Sequence, residues 1–278
     1  MDNRPIGVFD SGLGGLTAVK ALRQILPEEK LIYFGDTARV PYGGRSKETL
    51  LKYARQDVRF LRSFDLKAIV IACGTVSTTS LDTLQAENDL PIVGVVEPTC
   101  RRALLVTKNK KVGIIATLAS IRSGAYEAML RRLDPAVEII GKPCPLFVPL
   151  VENGRISRGD VVIETVAREY LEPLKATGVD TLILGCTHYP LLTEIIGDNI
   201  VIWSSVIFSG FTIILISRPA WIANDFSTPS NESAIFSKLS NLLIYASNVS
   251  LLAPGLDAEI ASAACTKTAS NVCGSTSP

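Results

Sequence analysis

The one histidine of this 278-residue chain stands in "LILGCTHYPLL", residues 182–192, two positions after Cys186. A short apolar run leads into a glycine, the cysteine and a threonine, so thiol and imidazole fall where a strand should end. A second cysteine, Cys73 of "AIVIACGT", comes after an apolar run in the same way. These groups suit acid/base or nucleophilic chemistry. A thiol's pKa responds to nearby cations, helix ends and hydrogen bonds, and imidazole titrates near neutrality. Each residue alone also has a plainer reading, since free cysteine is commonly a small core residue and a lone histidine is usually structural.

The elements around them decide what these residues can reach. "RPIGVFD", "KLIYFGD" and "LKAIVIACGT" read as strands. "GGLTAVKALRQIL" and "KETLLKYARQDVRFLRSF" carry apolar residues at helical spacing. The alternation continues through "PIVGVVEP", "KKVGIIAT", "SGAYEAMLRRL", "VVIETVAREYLEPLKATG" and "TLILGCT". Continuous Val/Ile/Leu strands between amphipathic helices predict parallel sheets covered on both faces. The strand ends also repeat. "IGVFDSGLGG" and "VGIIATLASIRSG" each end a strand on a polar residue before a Gly/Ser turn, while "IVIACGT" and "LILGCTH" each end one on a cysteine. Asp10 precedes Cys73 by 63 residues and Thr117 precedes Cys186 by 69. This spacing predicts a duplicated α/β unit. Because ligands of open α/β sheets bind at the carboxyl ends of the strands, two such units facing each other would set Cys73 and Cys186 on opposite walls of one cleft.

Composition narrows the function classes. A net charge of +1 and the lack of any long basic run offer no footprint for nucleic acid. No basic-then-apolar leader opens the chain, so a cytoplasmic protein with reduced thiols is expected. The six cysteines form no C-x-x-C pair, and one histidine cannot complete a Cys/His zinc pattern, so no metal is expected. Near residue 199 the chain changes character. Residues 1–195 hold 47 charged side chains, whereas residues 196–278 hold only 8, together with 15 serines and both tryptophans. The step suggests a second origin for the tail, such as a shifted reading frame. "IVIWSSVIFSGFTIILI" is uncharged, but it is short and serine-interrupted for a membrane span, which is not expected. "NDFSTPSNES" and "TKTASNVCGSTSP" read as loop or disorder.

The stretches "GVFDSGLGGLTAV", "YFGDTARVPYG", "ACGT", "GVVEP", "PLVENG" and "LGCTHYPLL" together resemble glutamate racemase, the cofactor-independent amino-acid racemase of bacterial wall synthesis. The resemblance covers about the first 199 residues. It implies an α/β fold of two pseudo-symmetric domains, each a mainly parallel sheet flanked by helices, with the active site in the cleft between them. Residues 1–98 would form the first domain and 99–199 the second, with 200–278 an atypical tail where the family completes the first. It implies interconversion of L- and D-glutamate, with no cofactor, no nucleic-acid partner, and a homodimer allowed for. Racemisation takes the Cα proton from one face and returns one to the other, so an acid and a base must flank the carbon. The resemblance assigns these roles to Cys73 and Cys186. His188 could then hold or relay a proton for Cys186, with Glu152 on the same side and Asp10 on the Cys73 side. Substrate contacts are implied for Asp10, Ser11, Pro41, Tyr42, Gly43, Gly74, Thr75, Thr117, Thr187 and His188.

"DSGLGG" is not a dinucleotide fingerprint, because Thr17 stands where the third glycine would fall. A tight turn and helix N-terminus facing a carboxylate is the expected role. Two departures from the family stand out. Gly74 replaces its common asparagine, which removes one side-chain hydrogen bond to substrate. The tail loses the family pattern after "GDN", which predicts poor docking of residues 200–278 and a weak or inactive racemase. The rival readings are an aspartate racemase of the same two-cysteine superfamily and an inactive relative acting by binding.

Overall fold

The computed structural model describes residues 2–200 and, beyond them, the backbone of two short strands at 205–208 and 213–214. The first sheet contains β1 (Ile6–Asp10), β2 (Leu31–Gly35), β3 (Ala68–Ile71) and β4 (Ile92–Gly94), in the order β2-β1-β3-β4 and parallel throughout. Its helices are α1 (Leu16–Ile25), α2 (Lys47–Leu61), α3 (Gly74–Thr79) and α4 (Leu81–Glu87), and α5 (Val96–Val106) leads to the second sheet. That sheet holds β5 (Lys111–Ala116), β6 (Glu138–Pro143), β7 (Thr181–Leu184), β8 (Ser205–Phe208) and β9 (Ile213–Ile214), ordered β6-β5-β7-β8-β9. All pairs are parallel except β8 with β9. Around it lie α6 (Leu118–Ser123), α7 (Ala125–Leu133), α8 (Phe147–Glu152), α9 (Val161–Lys175), a 3₁₀ turn at Tyr189–Leu192 and α10 (Thr193–Asn199).

The expected α/β class and the duplication are both present. In each sheet the strand that comes first in the chain lies between the second and the third, and the fourth lies beyond the third. β1 therefore corresponds to β5, and β3 to β7. Alternate residues of the apolar strands face different helices. Ile6 and Val8 pack with Leu22 of α1, while Phe9, Ile69 and Ile71 pack with Leu50, Val58 and Leu61 of α2. In the second sheet Ile115, Leu182 and Leu184 meet Ile163 and Leu171 of α9, and Ile114 and Ile183 meet Tyr126 and Leu130 of α7. Helices on both faces explain why these strands are apolar without alternation.

Several boundaries differ from the sequence expectation. "GVVEP" is not a continuous strand: β4 stops at Gly94, and Val96 already begins α5. β3 stops at Ile71, so Cys73 is the residue before α3 rather than part of a strand. β6 is edge-positioned and only partly buried, and its apolar run is limited to Ile139 and Ile140. β8 and β9 extend the second sheet beyond residue 199, the proposed edge of the tail, with β8 in the place that β4 holds in the first. Among the described residues no helix is long and apolar enough to cross a membrane. The disorder expected of "NDFSTPSNES" and "TKTASNVCGSTSP" lies outside the described residues.

Leu22 is fully buried among Ile6, Val8 and Val70. Leu22→Ala should cost about 2–5 kcal/mol of stability through lost burial and a residual cavity. Leu105→Ala, on an exposed surface, should change stability by less than about 0.5 kcal/mol. Urea unfolding of the two variants checks both.

Candidate active site

Each domain sends two strand ends to the cleft. From the first, β1 ends on Asp10 and leads into Ser11, while β3 leads to Cys73 and the N-terminus of α3. From the second, β5 leads to Thr117, which caps α6 by accepting a hydrogen bond from the Ser120 backbone N–H, and β7 leads to Cys186, Thr187 and His188. Residues distant in sequence thereby surround one small cavity. Ser11, Cys73, Gly74 and Thr75 line it from the first sheet, with Val40, Pro41, Tyr42 and Gly43 from the loop after β2. Thr117, Val148, Cys186, Thr187 and His188 line it from the second. The cavity is about 10 Å³, room for about one water.

Asp10 and Glu152 are not on the cavity wall but stand directly behind it. Asp10 Oδ2 accepts the backbone N–H of Gly12 (3.1 Å) and Gly15 (2.9 Å), so the "DSGLGG" turn wraps a carboxylate belonging to the protein itself. Its Oδ1 lies 3.4 Å from the Thr187 hydroxyl, which donates across the domain boundary. Glu152, at the end of α8, pairs with His188 Nε2, while His188 Nδ1 lies 3.7 Å from Cys186 Sγ. Carboxylate, imidazole and thiol thus form a chain on the Cys186 side. On the Cys73 side, Sγ lies 3.4 Å from Ser11 Oγ.

The backbones of the two domains meet at this cleft. The hydroxyls of Thr75 and Thr117 are 2.9 Å apart, and the Gly43 carbonyl accepts the N–H of Ala119 at 3.0 Å. A Cβ at Gly74 would collide with the Gly185 carbonyl oxygen, and one at Gly43 would press on Thr117 at 2.7 Å. Gly74 therefore permits the approach, and an asparagine there would require the domains to shift.

Burial controls the ionisation of the site. It pushes the Cys73 thiol up to about 11, helped by the charge of Asp10 and opposed by hydrogen bonds from Ser11 and the Val76 N–H. Cys186 is pushed higher still by burial, against the His188 backbone N–H, with the Cys73 and Asp10 charges adding to the rise. Burial also raises Asp10, while the nearby His188 and the N–H groups of Gly15, Gly12 and Ser11 act in the opposite direction. Burial in this cleft therefore favours neutral thiols. Among the described residues no three His, Cys, Asp or Glu side chains converge to hold a metal ion.

Tyr42, expected as a substrate contact, lines the cavity. Its hydroxyl bonds Asp36 and Asp57, neither of which lines it. Val40, Val148 and this acidic pair were not singled out in the sequence. "GDTARVPYG" contains Asp36 and Arg39, but Asp57 lies within the amphipathic pattern of α2, where nothing marks it as buried. A wider groove of about 660 Å³ opens elsewhere, beside Lys47, Glu97 and Arg132, and reaches neither strand-end thiol.

Two facing α/β domains with a cysteine at the equivalent strand end of each define a protein that presents paired thiols to a single cleft. Residues 17–209 match the family model described as Asp/Glu/Hydantoin racemase. The chain is 50% identical over 197 residues to glutamate racemase of Geobacter metallireducens, covering 71% of this chain and 72% of that one. A glutamate racemase isoform from Bacillus anthracis superposes with a TM-score of 0.71 at 38% identity, over 75% of this chain and 78% of that chain. The Francisella tularensis glutamate racemase, solved in complex with D-glutamate, superposes with a TM-score of 0.67 at 44% identity, over 72% and 74% of the two chains. The chain belongs to the Asp/Glu/hydantoin racemase family.

The raised thiols give a direct prediction. Alkylation of substrate-free protein by iodoacetamide should be slow at Cys73 and Cys186 near neutral pH. It should accelerate at Cys73 as pH approaches about 11, since only the thiolate reacts. Peptide mapping by mass spectrometry, with circular dichroism to confirm that the protein stays folded, reads this out. Rapid labelling of both thiols at pH 7 would contradict it.

Proposed function

We propose that this chain interconverts L- and D-glutamate by proton transfer at Cα between Cys73 and Cys186, supplying D-glutamate for peptidoglycan in the cytoplasm. One observation carries the reading: the two thiols come from equivalent strand ends of opposite domains and line the same cavity. A reaction that removes a proton from one face of a carbon and delivers one to the other needs this two-sided supply. The glutamate racemases of high identity, one of them solved with D-glutamate, support glutamate as substrate.

In this reading one cysteine acts as thiolate base while the other, as thiol, is the acid, and the roles exchange for the reverse reaction. Burial opposes the thiolate. The α-ammonium of a bound amino acid brings a cation beside the thiols and lowers that cost. His188, paired to Glu152, holds or relays a proton for Cys186. Asp10 serves the Cys73 side through the Ser11 turn and is tied to the opposite wall through Thr187. The hydroxyls of Ser11, Thr75, Thr117 and Thr187 and the backbone around Pro41, Gly43 and Gly74 would hold the substrate's carboxylates and ammonium. A cavity of about 10 Å³ is far too small for an amino acid, so the domains must part for substrate to enter. The Thr75–Thr117 and Gly43–Ala119 contacts would be broken or replaced in that step.

Replacing Cys73 or Cys186 by alanine should abolish racemisation of both glutamate enantiomers, monitored by circular dichroism, with aspartate tested alongside to define the substrate. In deuterated water each enantiomer should gain label at Cα chiefly as it inverts; early label in unreacted substrate would point to a single mobile base instead. His188→Asn should slow the two directions unequally, by about 10²–10⁴-fold in the more affected one. Equal, normal rates in both directions would leave His188 a structural role only.

A further inference from the structure

Behind the cleft, the loop after β2 is anchored by four polar side chains that the proposed chemistry does not use directly. Arg39 Nε lies 2.6 Å from Asp36 Oδ2, and its Nη2 lies 2.7 Å from Asp57 Oδ1. The Tyr42 hydroxyl bonds Asp36 Oδ2 and is 3.0 Å from Asp57 Oδ2. Asp36, Tyr42 and Asp57 are all buried, at 5%, 2% and 1% exposure. Arg39 also donates to Gln56 and lies over the Tyr53 ring, 4.4 Å from its centroid, so α2 holds it from two sides. Between Arg39 and Tyr42 the chain passes Val40 and Pro41, and Gly43 comes next; these three line the cavity, and Gly43 accepts a hydrogen bond from Ala119 of the second domain. The cluster therefore grips both ends of a segment that is at once a wall of the cleft and a contact between domains.

The hydrogen count constrains the cluster further. A phenol has one proton and cannot donate to two carboxylates at once. With Tyr42 donating to one carboxylate, its second bond forms only if the other carboxyl carries a proton and donates to the phenol oxygen. The charge balance agrees, because one guanidinium neutralises one of the two buried carboxylates and a proton neutralises the other.

We infer that Asp57, acting through Tyr42 and Arg39, is a positioning residue that holds the Val40–Gly43 segment in place as a wall of the cleft, and that it does so while protonated. This rests on the racemase reading above for its kinetic consequence, but not for its structural one. Burial and the neighbouring Asp36 charge push the Asp57 carboxyl up to about 7, with Arg39 pulling the other way. A carboxyl raised in the folded state keeps its stabilising contribution at low pH and loses it as pH rises through the raised value. The contribution is thus complete below the ordinary carboxylate range and declines from there until pH passes about 7. The groups facing Asp57 are Asp36, Arg39 and Tyr42, with Gln56 and Tyr53 reaching Arg39 from α2.

The test compares wild type, Tyr42→Phe, Asp57→Ala and Asp57→Asn in the full chain. Tyr42→Phe and Asp57→Ala should raise KM for glutamate about tenfold or more with a smaller change in kcat, since a displaced wall weakens substrate placement while leaving both thiols present. Asp57→Asn, which resembles the protonated acid, should recover most of the KM and remove the limb of the kcat/KM profile near pH 7. Amide hydrogen exchange over residues 39–45 supplies a readout independent of racemisation. Exchange should quicken from pH 6 to pH 8, after correction for intrinsic rates, in wild type but not in Asp57→Asn. If wild type fails to racemise glutamate but shows this exchange pattern, the function fails and the anchor stands. Exchange and its pH dependence unchanged in Tyr42→Phe and Asp57→Ala would overturn the anchor, whether or not the enzyme is active.

Discussion

Backbone-to-backbone contact between the two domains is the constraint on which the rest of this site depends. Two thiols can serve opposite faces of one carbon only if the walls that carry them come within the width of a small molecule. Here that approach is made where side chains are absent. Gly74 faces the Gly185 carbonyl with no room for a Cβ, and Gly43 lies against Thr117. Hydroxyl and amide contacts between Thr75 and Thr117 and between Gly43 and Ala119 then satisfy the polar groups that this closeness buries.

The same closeness sets the electrostatics. Water is largely excluded, so Cys73, Cys186 and Asp10 all shift toward their neutral forms. Each has local support that limits the cost of burial: N–H groups of the glycine turn for Asp10, Ser11 for Cys73, and the His188 backbone for Cys186. Charge interactions in such a buried cleft are stronger than they would be in water. The Glu152–His188 pair is arranged on one side only, so the two halves of the cleft are related in backbone but not in chemistry.

That asymmetry fits a duplicated framework with diverged strand ends. Both sheets share one strand order for their first four members, and both put a cysteine after the third. The two cysteines differ in the chain that comes after them. Cys73 leads directly into α3, whereas Cys186 leads through Thr187 and His188 into a 3₁₀ turn. The second sheet takes its fourth strand from beyond residue 199, so chain that looks compositionally foreign still supplies β-pairing where the repeat requires it.

By itself, the sequence determined the class of fold and the chemical elements of the site. Uninterrupted apolar strands such as "AIVIA" and "TLILG" report burial on both faces, and amphipathic helices such as 47–61 report what covers them. Cys73 and Cys186 stood out because each comes just after an apolar run, a position local periodicity reveals, while their pairing as acid and base and the place of Asp10 beside them came from the resemblance. Only the tertiary structure decided which strand ends share a cavity, that the Tyr42 hydroxyl bonds Asp57, and that Gly74 serves domain contact. The physical reason is that periodicity tells which face of an element is buried, not what arrives to bury it. Thr187 reaches Asp10 across 177 positions of chain, and Asp57 reads as one more acid on an amphipathic helix until the loop folds over it. Thiol ionisation has the same cause, because desolvation belongs to the assembled cleft and to no segment of it.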